Sequence, residues 1–144
     1  MRTTLTEARR DLLWRVPLFA ACTDKELAEV DALVDDIEVE PGEVVVEEGV
    51  PGRDSFIVVS GRAEVSLRGK VIARLEPGDF FGEMSLLTHR LRTATVTAVT
   101  PMQLLVVELR NFMGLLEVGG VAKVMLRTVV ERLRLAQDLS PTGG

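Results

Sequence analysis

Two-residue turn sequences recur at nearly regular intervals in the middle of this 144-residue chain. Their glycines stand eight to ten residues apart, in the pairs Pro41-Gly42, Pro51-Gly52, Ser60-Gly61, Arg68-Gly69 and Pro77-Gly78. Between the turns lie short runs rich in β-branched residues, at 44–46, 56–59, 63–67 and 71–75. Short strands joined by turns at this spacing are typical of an antiparallel sandwich or jelly roll. The turn spacing is the strongest constraint on the fold, and it predicts an antiparallel β structure.

Two more extended segments, 94–98 and 102–108, complete the predicted β region. The expected fold class is mainly β with flanking helices. It is an antiparallel jelly-roll β-barrel (double-stranded β-helix) over residues 36–108, with N-terminal helices and a long C-terminal helix. A chain of this length fits one domain with a single core, so we assign residues 1–144 to one domain.

Residues 4–34 are predicted to form the N-terminal helices. Thr4-Leu5-Thr6-Glu7 and Thr23-Asp24-Lys25-Glu26 both have the capping-box spacing of a helix start. Pro17 should end or interrupt the first helix. Two helices that pack on a β core are the simplest interpretation. The Asp35-Asp36 pair that follows is expected to be solvated.

Residues 110–139 are predicted to be helical in two pieces, Asn111–Leu116 and 121–139, separated by Gly119-Gly120. The long helix carries one apolar set that alternates by four and three residues, a short heptad seam, and a second apolar set beside it. One face is expected to pack on the barrel and another on a partner helix or a bound base. The seam is Ala122, Leu126, Val129, Leu133 and Ala136, and the second set is Val121, Val124, Met125 and Leu135.

Charge and composition argue against several classes of function. The net charge of -5 disfavours a nucleic-acid surface, because phosphate backbones need a basic face. The single cysteine, Cys22, excludes an intrachain disulfide and fits a reducing compartment. The sequence has no apolar run long enough to cross a bilayer and no signal-type segment. We therefore expect a cytoplasmic protein without direct nucleic-acid or membrane contacts.

Catalysis is disfavoured by the shortage of imidazole groups. His89 is the only histidine in the sequence. Metal-dependent β-barrel enzymes use several imidazole and carboxylate ligands, and hydrolase triads place an imidazole beside the nucleophile. We predict that the chain is not an enzyme, with no catalytic residue, no metal site and no cofactor.

Residues 80–96, FFGEMSLLTHRLRTATV, carry the chemistry of a binding site. Gly82 has no side chain where a helical turn can begin, so the backbone N–H groups of residues 83–85 can face a bound anion. Glu83 is an acceptor suited to a hydroxyl, and Arg92 supplies a planar fork for two phosphate oxygens. A hydroxyl and an open stretch of backbone are added by Thr93 and Ala94. A sugar phosphate would satisfy both the anion-binding groups and the hydroxyl acceptor.

A family resemblance rests on two runs in this segment, Phe81-Gly82-Glu83-Met84-Ser85-Leu86-Leu87 and Arg92-Thr93-Ala94-Thr95-Val96. They resemble the phosphate-binding cassette of the cyclic nucleotide-binding domain family. The family includes the catabolite activator protein, the regulatory subunits of cyclic-nucleotide-dependent kinases and the C-terminal domains of nucleotide-gated channels. The resemblance covers roughly residues 16–138, with the cassette at 81–96. Many members carry a proline before the arginine, where this chain has Leu91.

The resemblance implies a role for individual residues. Glu83 would accept the ribose 2′-hydroxyl and Arg92 would pair with the cyclic phosphate, rather than the two pairing with each other. Thr93 would touch phosphate or base, which leaves both cyclic AMP and cyclic GMP open. Cyclic AMP is favoured because nothing else in the sequence looks guanine-specific. In channel-type members a residue near Arg132 reaches back to the base, so Arg132 is a candidate lid. The predicted ligand-binding residues are Gly82, Glu83, Met84, Ser85, Arg92, Thr93, Ala94 and Arg132.

The resemblance therefore implies a non-catalytic regulatory protein that binds cyclic AMP or cyclic GMP. Binding would order the cassette, Gly119-Gly120 would act as a hinge, and the last helix would swing over the base. A downstream effector protein of unknown identity would receive the response, and a homodimer through the last helix is a further expectation. The alternative is an interaction module that keeps the fold and dimerises without a ligand.

Overall fold

The computed structural model of the protein describes residues 5–82 and 91–138; in the last helix it describes side chains as far as Glu131, and that of Arg134. Eight strands and four α-helices lie in these two ranges. The strands are β1 (Asp35–Val39), β2 (Val44–Val46), β3 (Asp54–Ser60), β4 (Ala63–Leu67), β5 (Lys70–Leu75), β6 (Phe80–Phe81), β7 (Thr95–Ala98) and β8 (Met102–Glu108). The helices are α1 (Glu7–Trp14), α2 (Asp24–Asp31), α3 (Leu109–Leu116) and α4 (Val121–Asp138), with a 3₁₀ turn at Pro17–Phe19.

The strands form two four-stranded sheets with the orders β1-β8-β3-β6 and β2-β7-β4-β5. The strand pairs within both sheets are antiparallel. Buried side chains from both sheets pack into one core, which includes Val39, Phe56, Val58, Val96 and Leu104. This arrangement confirms the predicted antiparallel jelly roll. Six strands lie close to the predicted segments, whereas β1 and β6 correspond to no segment predicted as a strand.

The predicted turn glycines do not all serve the same purpose. Four of the five, at positions 42, 61, 69 and 78, have a positive φ, as tight turns between strands often require. Gly52 is the exception. It precedes β3 with an ordinary backbone conformation, so another explanation for this glycine is needed.

Helices α1 and α2 start at threonine caps. The hydroxyl of Thr6 accepts a hydrogen bond from the backbone N–H of Arg9, so α1 begins at Glu7. The capping-box prediction had placed this start at Thr4, two residues too early, because Thr4 and Thr6 precede equally plausible first turns. The predicted box at α2 is confirmed: Thr23 and Glu26 each accept the other's backbone N–H, at 3.2 and 2.9 Å.

Helices α3 and α4 pack with α1 and α2 around a second core, on the side of β3 and β8. Val121 and Met125 are buried in it, and Val124 and Val129 pack against it. Val129 was expected on the heptad seam, but it faces the core because it lies four residues beyond Met125 on the same side of the helix. Of the other seam residues, Ala122 and Leu126 are exposed, while the side chains of Leu133 and Ala136 lie outside the described ones.

One arginine ties the N-terminal helices to the barrel. The guanidinium of Arg9 donates to Asp31 at the end of α2 and to Asp36 on β1, both at 2.5 Å. These hydrogen bonds, that to Asp36 first, raise the pKa of Arg9 above its ordinary value. The expectation that Asp36 is merely solvated is therefore wrong, because a residue far away in the sequence supplies its partner.

Candidate functional site

A cavity of about 490 Å³ lies against the inner face of the β2-β7-β4-β5 sheet. Its apolar walls come from both sheets and include Val46, Val65, Leu75, Phe81 and Val96. Its polar and charged lining residues are Arg74 on β5, Asp79 just before β6, and Arg92 and Thr93 before β7. Four of the predicted site residues line it, namely Gly82, Arg92, Thr93 and Ala94.

Arg92 is the buried cation of this cavity, with 8% of its surface exposed. Its Nη1 donates to the carbonyl of Gly82 at 2.8 Å, and its Nη2 donates to the carbonyl of Asp54 at 2.7 Å. The guanidinium also lies 6.0 Å from the centre of the Phe56 ring, which stacks on Phe81. Carbonyl dipoles and an aromatic face both stabilise a positive charge that has lost water.

The backbone around Arg92 is fixed as well. Its N–H donates to the carbonyl of Val50, and its own carbonyl accepts the N–H of Gly49, both at 2.9 Å. Leu91, the residue that replaces the proline of many family members, forms a bridge with Pro51. The loop before β3 thus holds the arginine in register.

Two glycines leave the space that the guanidinium occupies. A Cβ on Gly52 would overlap the Nε and Cζ of Arg92 and lie 2.7 Å from its Nη1. A Cβ on Gly82 would lie 2.8 Å from the same Nη1 and 3.0 Å from the carbonyl oxygen of Asp54. Gly82 also has a φ of 86°, which disfavours any residue with a side chain. Gly82 is among the site residues predicted from the sequence, whereas Gly52 was predicted only as a turn residue.

Two carboxylates lie on the side of Arg92 that faces β3. Asp54 pairs directly across the sheet with Glu108. Burial raises the pKa of the Asp54 carboxyl above its ordinary value, repulsion from Glu108 adds to the shift, and Arg92 opposes it. The side of the guanidinium towards β3 is therefore acidic, whereas its other side faces the cavity.

The remaining predicted site residues cannot be placed from this structure. Glu83, Met84 and Ser85 lie outside the described residues. Arg132 belongs to α4 by its backbone, and its side chain lies outside the described ones. Within residues 5–82 and 91–138, no group of three or more histidine, cysteine, aspartate or glutamate side chains is placed to hold a metal ion.

Comparison with known families settles what kind of domain surrounds this cavity. Residues 36–118 match the family described as the cyclic nucleotide-binding domain. The chain belongs to this family. Apart from Asp35 at the start of β1, the matched range includes the eight described strands, α3 and Arg92, so it contains the described part of the cavity.

Cyclic nucleotide-binding domains of different proteins are similar to this chain. A cAMP-dependent protein kinase regulatory subunit of Pyricularia oryzae is 30% identical over 146 residues, which cover 98% of this chain and 37% of that protein. The structure of a mutant cAMP-binding acyltransferase from Mycobacterium smegmatis has a TM-score of 0.81 and 30% identity, and the match covers 92% of this chain and 43% of the other. The structure of cAMP-bound PfPKA-R has a TM-score of 0.77 and 28% identity, with coverages of 92% and 46%.

The chain is shorter than the proteins that it matches. It spans between 23% and 42% of the length of the first curated relatives. Across the described ranges, none of the helices combines the length and the apolarity that crossing a membrane requires.

Proposed function

We propose that this chain is a cyclic AMP-binding regulatory domain without catalytic activity of its own. The observation that carries the proposal is the buried guanidinium of Arg92 at one end of a mostly apolar cavity. A phosphate would meet the arginine, and a base would cover the aliphatic wall. The relatives support cyclic AMP as the nucleotide, because both solved structures above are named for binding it.

The ligand contacts follow from the family resemblance. Arg92 pairs with the cyclic phosphate, Glu83 accepts the ribose 2′-hydroxyl, and the backbone near Gly82 and Ser85 completes the anion site. Met84, Thr93 and Ala94 line the rest of this end of the site, and cyclic GMP remains the second candidate ligand.

The response passes through helix α4. Gly119-Gly120 separates α4 from α3, and Gly119 has a positive φ of 43° that gives the junction a glycine-specific bend. Movement about this junction would carry α4 over the base, with Arg132 as the lid residue, and would alter contacts with an effector protein. The exposed side chains of Ala122 and Leu126 offer α4 a surface for a second copy of the chain.

Titration calorimetry of the purified, nucleotide-free protein with cyclic AMP and with cyclic GMP tests the proposal. We expect micromolar or tighter binding of cyclic AMP, and a loss of about 2–5 kcal/mol of binding free energy in Arg92→Ala, because a buried phosphate would lose its charged partner. Arg92→Lys should also bind weakly, because it keeps the charge without the planar fork.

The matched control is Arg53→Ala, which removes an exposed arginine close to the same loop. It should bind like the parent protein, and circular dichroism should show all variants folded. Binding that survives Arg92→Ala with a loss below 2 kcal/mol would place the phosphate elsewhere. No binding of either nucleotide by a folded sample would favour the ligand-independent interaction module.

A further inference from the structure

The two outermost strands of the β2-β7-β4-β5 sheet carry the same sequence pattern with opposite charges. Glu43 and Glu47 flank the three valines of β2. On β5, Lys70 and Arg74 enclose the apolar residues 71–73. Each strand therefore presents two like charges, four residues apart, around an apolar centre. The charges are negative at one edge of the sheet and positive at the other.

Both edges are open to solvent. Among the described strands, β2 pairs only with β7 and β5 pairs only with β4. Val44, Val71 and Ile72 are 50%, 44% and 55% exposed, and the four flanking charged residues are exposed as well. An edge strand presents backbone N–H and C=O groups that a strand from another chain can join. Exposed apolar side chains along such an edge add contact area for that strand.

The guanidinium on β5 can bind a further carboxylate. Arg74 lies 3.8 Å from Glu64 on β4, yet 77% of its side chain remains exposed. A guanidinium carries five N–H donors, so this ion pair leaves donors for a second acceptor. The basic edge is therefore not neutralised by its own sheet.

The two edges cannot pair with each other within one chain. Strands β7 and β4 lie between β2 and β5. Neighbouring strands are about 4.8 Å apart, so the two edges are roughly 14 Å apart. A strand that joins either edge must come from another molecule.

The charges determine which edges can meet. Two β2 edges would bring glutamates together, and two β5 edges would bring lysine and arginine together. Like charges directly opposite each other across strands are destabilising, whereas opposite charges stabilise the pair. Charges that only protect an edge from aggregation could have the same sign at both edges. Opposite signs at equal spacing instead suit the pairing of a β5 edge with a β2 edge.

The sheet order also gives the direction of such a pairing. Three antiparallel steps lead from β2 to β5, so these two strands run in opposite directions. A second copy that continues the sheet, with the same face inward, would place its β2 antiparallel to β5. Glu43 would then lie near Arg74, and Glu47 near Lys70. The register shifts at the centre of both edge strands, which limits the ladder to a short run.

We propose that this chain associates with further copies of itself edge to edge, the β5 edge of one copy pairing with the β2 edge of the next. Such an interface is heterologous, so it extends into a row of copies or closes into a ring. Contact between two short strands is smaller than a standard interface of about 1,600 Å², so the assembly is weak and depends on protein concentration. The inference is independent of the proposed function and of any contact through α4.

Sedimentation velocity over a series of protein concentrations tests the assembly. The two variants are Glu43→Lys/Glu47→Lys and Lys70→Glu/Arg74→Glu. We expect the parent protein to associate, and to do so more weakly at high salt, because exposed charges are screened. Each variant alone should associate at least tenfold more weakly. An equal mixture of the two should associate again, because contacts between unlike copies regain opposite charges.

The mixture and one matched control separate the edges from other causes. Both variants keep a net negative charge, so attraction between their net charges cannot explain recovery in the mixture. Misfolded variants would not recover either. Glu29→Lys/Glu38→Lys makes the same change in net charge at exposed residues of α2 and β1, and it should associate like the parent. Arg74 also lines the cavity, so all samples are measured without nucleotide.

Three results would overturn the inference. The first is a parent protein that stays monomeric up to about 1 mM. The second is association of either edge variant as strong as that of the parent. The third is a mixture that stays monomeric although circular dichroism shows both variants folded. None of these results bears on nucleotide binding, which the calorimetry tests separately.

Discussion

Gly52 and Arg92 form one unit although forty positions separate them in the sequence. The guanidinium occupies the space that a side chain on Gly52 would need, and from there it reaches the carbonyls of Gly82 and Asp54. A residue with no function of its own thereby sets the position of the charged group. The backbone of Gly52 has an ordinary conformation, so the loop could accommodate alanine at this position. The methyl group of that alanine would, however, overlap the guanidinium of Arg92.

We therefore predict that Gly52→Ala weakens cyclic AMP binding while the fold survives. The added methyl group displaces the guanidinium from its two carbonyl acceptors, and hydrogen bonds of a charged group contribute about 1.5–3 kcal/mol each. Calorimetry should show a loss of that size. Gly114→Ala is the control, because its Cβ would meet Leu33 at an ordinary 3.5 Å. Parent-like affinity in Gly52→Ala would mean that the ligand does not need the arginine in this position.

At the level of single residues, the sequence predicts the members of a motif better than it predicts the distant residues that hold them in place. Gly82, Arg92, Thr93 and Ala94 were found because they lie close together in the chain, and the structure gathers them at one cavity. Gly52 was found only as a turn, because a Pro-Gly pair gives no indication of a contact so distant in the sequence. Asp54 and Phe56 were missed for the same reason, since their contacts with Arg92 depend on the backbone contacts between residues 49–51 and residues 91–92.

Strand β3 carries a charge conflict that pH should reveal. Asp54 lies opposite Glu108, and like charges directly across a sheet are destabilising. Burial and this repulsion raise the pKa of Asp54 in the folded protein, so folding favours the protonated carboxyl. Ionised Asp54 therefore lowers the free energy of unfolding at pH values above the pKa of its carboxyl in the folded protein. This penalty disappears as the pH falls through that pKa.

Asp54→Asn should accordingly stabilise the protein near pH 7 by roughly 0.5 kcal/mol, since the pair is partly exposed and screened. The gain should shrink towards zero in acid, where the parent carboxyl is already protonated. Thermal unfolding at several pH values measures both effects. Glu38→Gln, on β1 opposite the neutral Gln103, should show no such gain. A gain that stays constant down to acidic pH would rule out the charge as its cause.

Elements were predictable where local patterns decide them. The strands at 44–46, 63–67 and 102–108 have the predicted bounds. The predicted start of α1 was wrong, because Thr4 and Thr6 are equally plausible caps by sequence and Thr6 is the one that caps the helix. In the same way, the two apolar sides of α4 could be listed from the sequence, but only the packing shows that Val129 faces the core.

Over the whole molecule, a few polar side chains join parts of the chain that are distant in sequence. Arg9 links α1 and the end of α2 to β1. Glu26 is the second such residue, because its carboxylate caps α2 and also lies against Gly119, just before α4 begins. The proposed response of α4 must therefore be accommodated at a junction that touches the N-terminal helices.

Gly119→Ala tests this junction. A Cβ on Gly119 would lie 2.8 Å from the Cδ of Glu26, and a φ of 43° already disfavours a side chain. We expect a loss of about 1–3 kcal/mol in the free energy of unfolding, measured by urea denaturation. Gly120→Ala is the matched control, since its Cβ would meet nothing within 4 Å and its φ is not in the positive region.

The double variant Glu26→Ala/Gly119→Ala separates the two causes of that loss. Glu26→Ala alone loses the capping-box bond to Thr23, but with Gly119→Ala it also removes the steric conflict. The combined loss should therefore be smaller than the sum of the single losses, as is typical of residues in contact. Strictly additive losses would mean that backbone strain at Gly119 is the whole effect and that α2 does not sense the junction. A coupling energy, by contrast, would show that a change at Gly119, just before α4, is felt at the cap of α2.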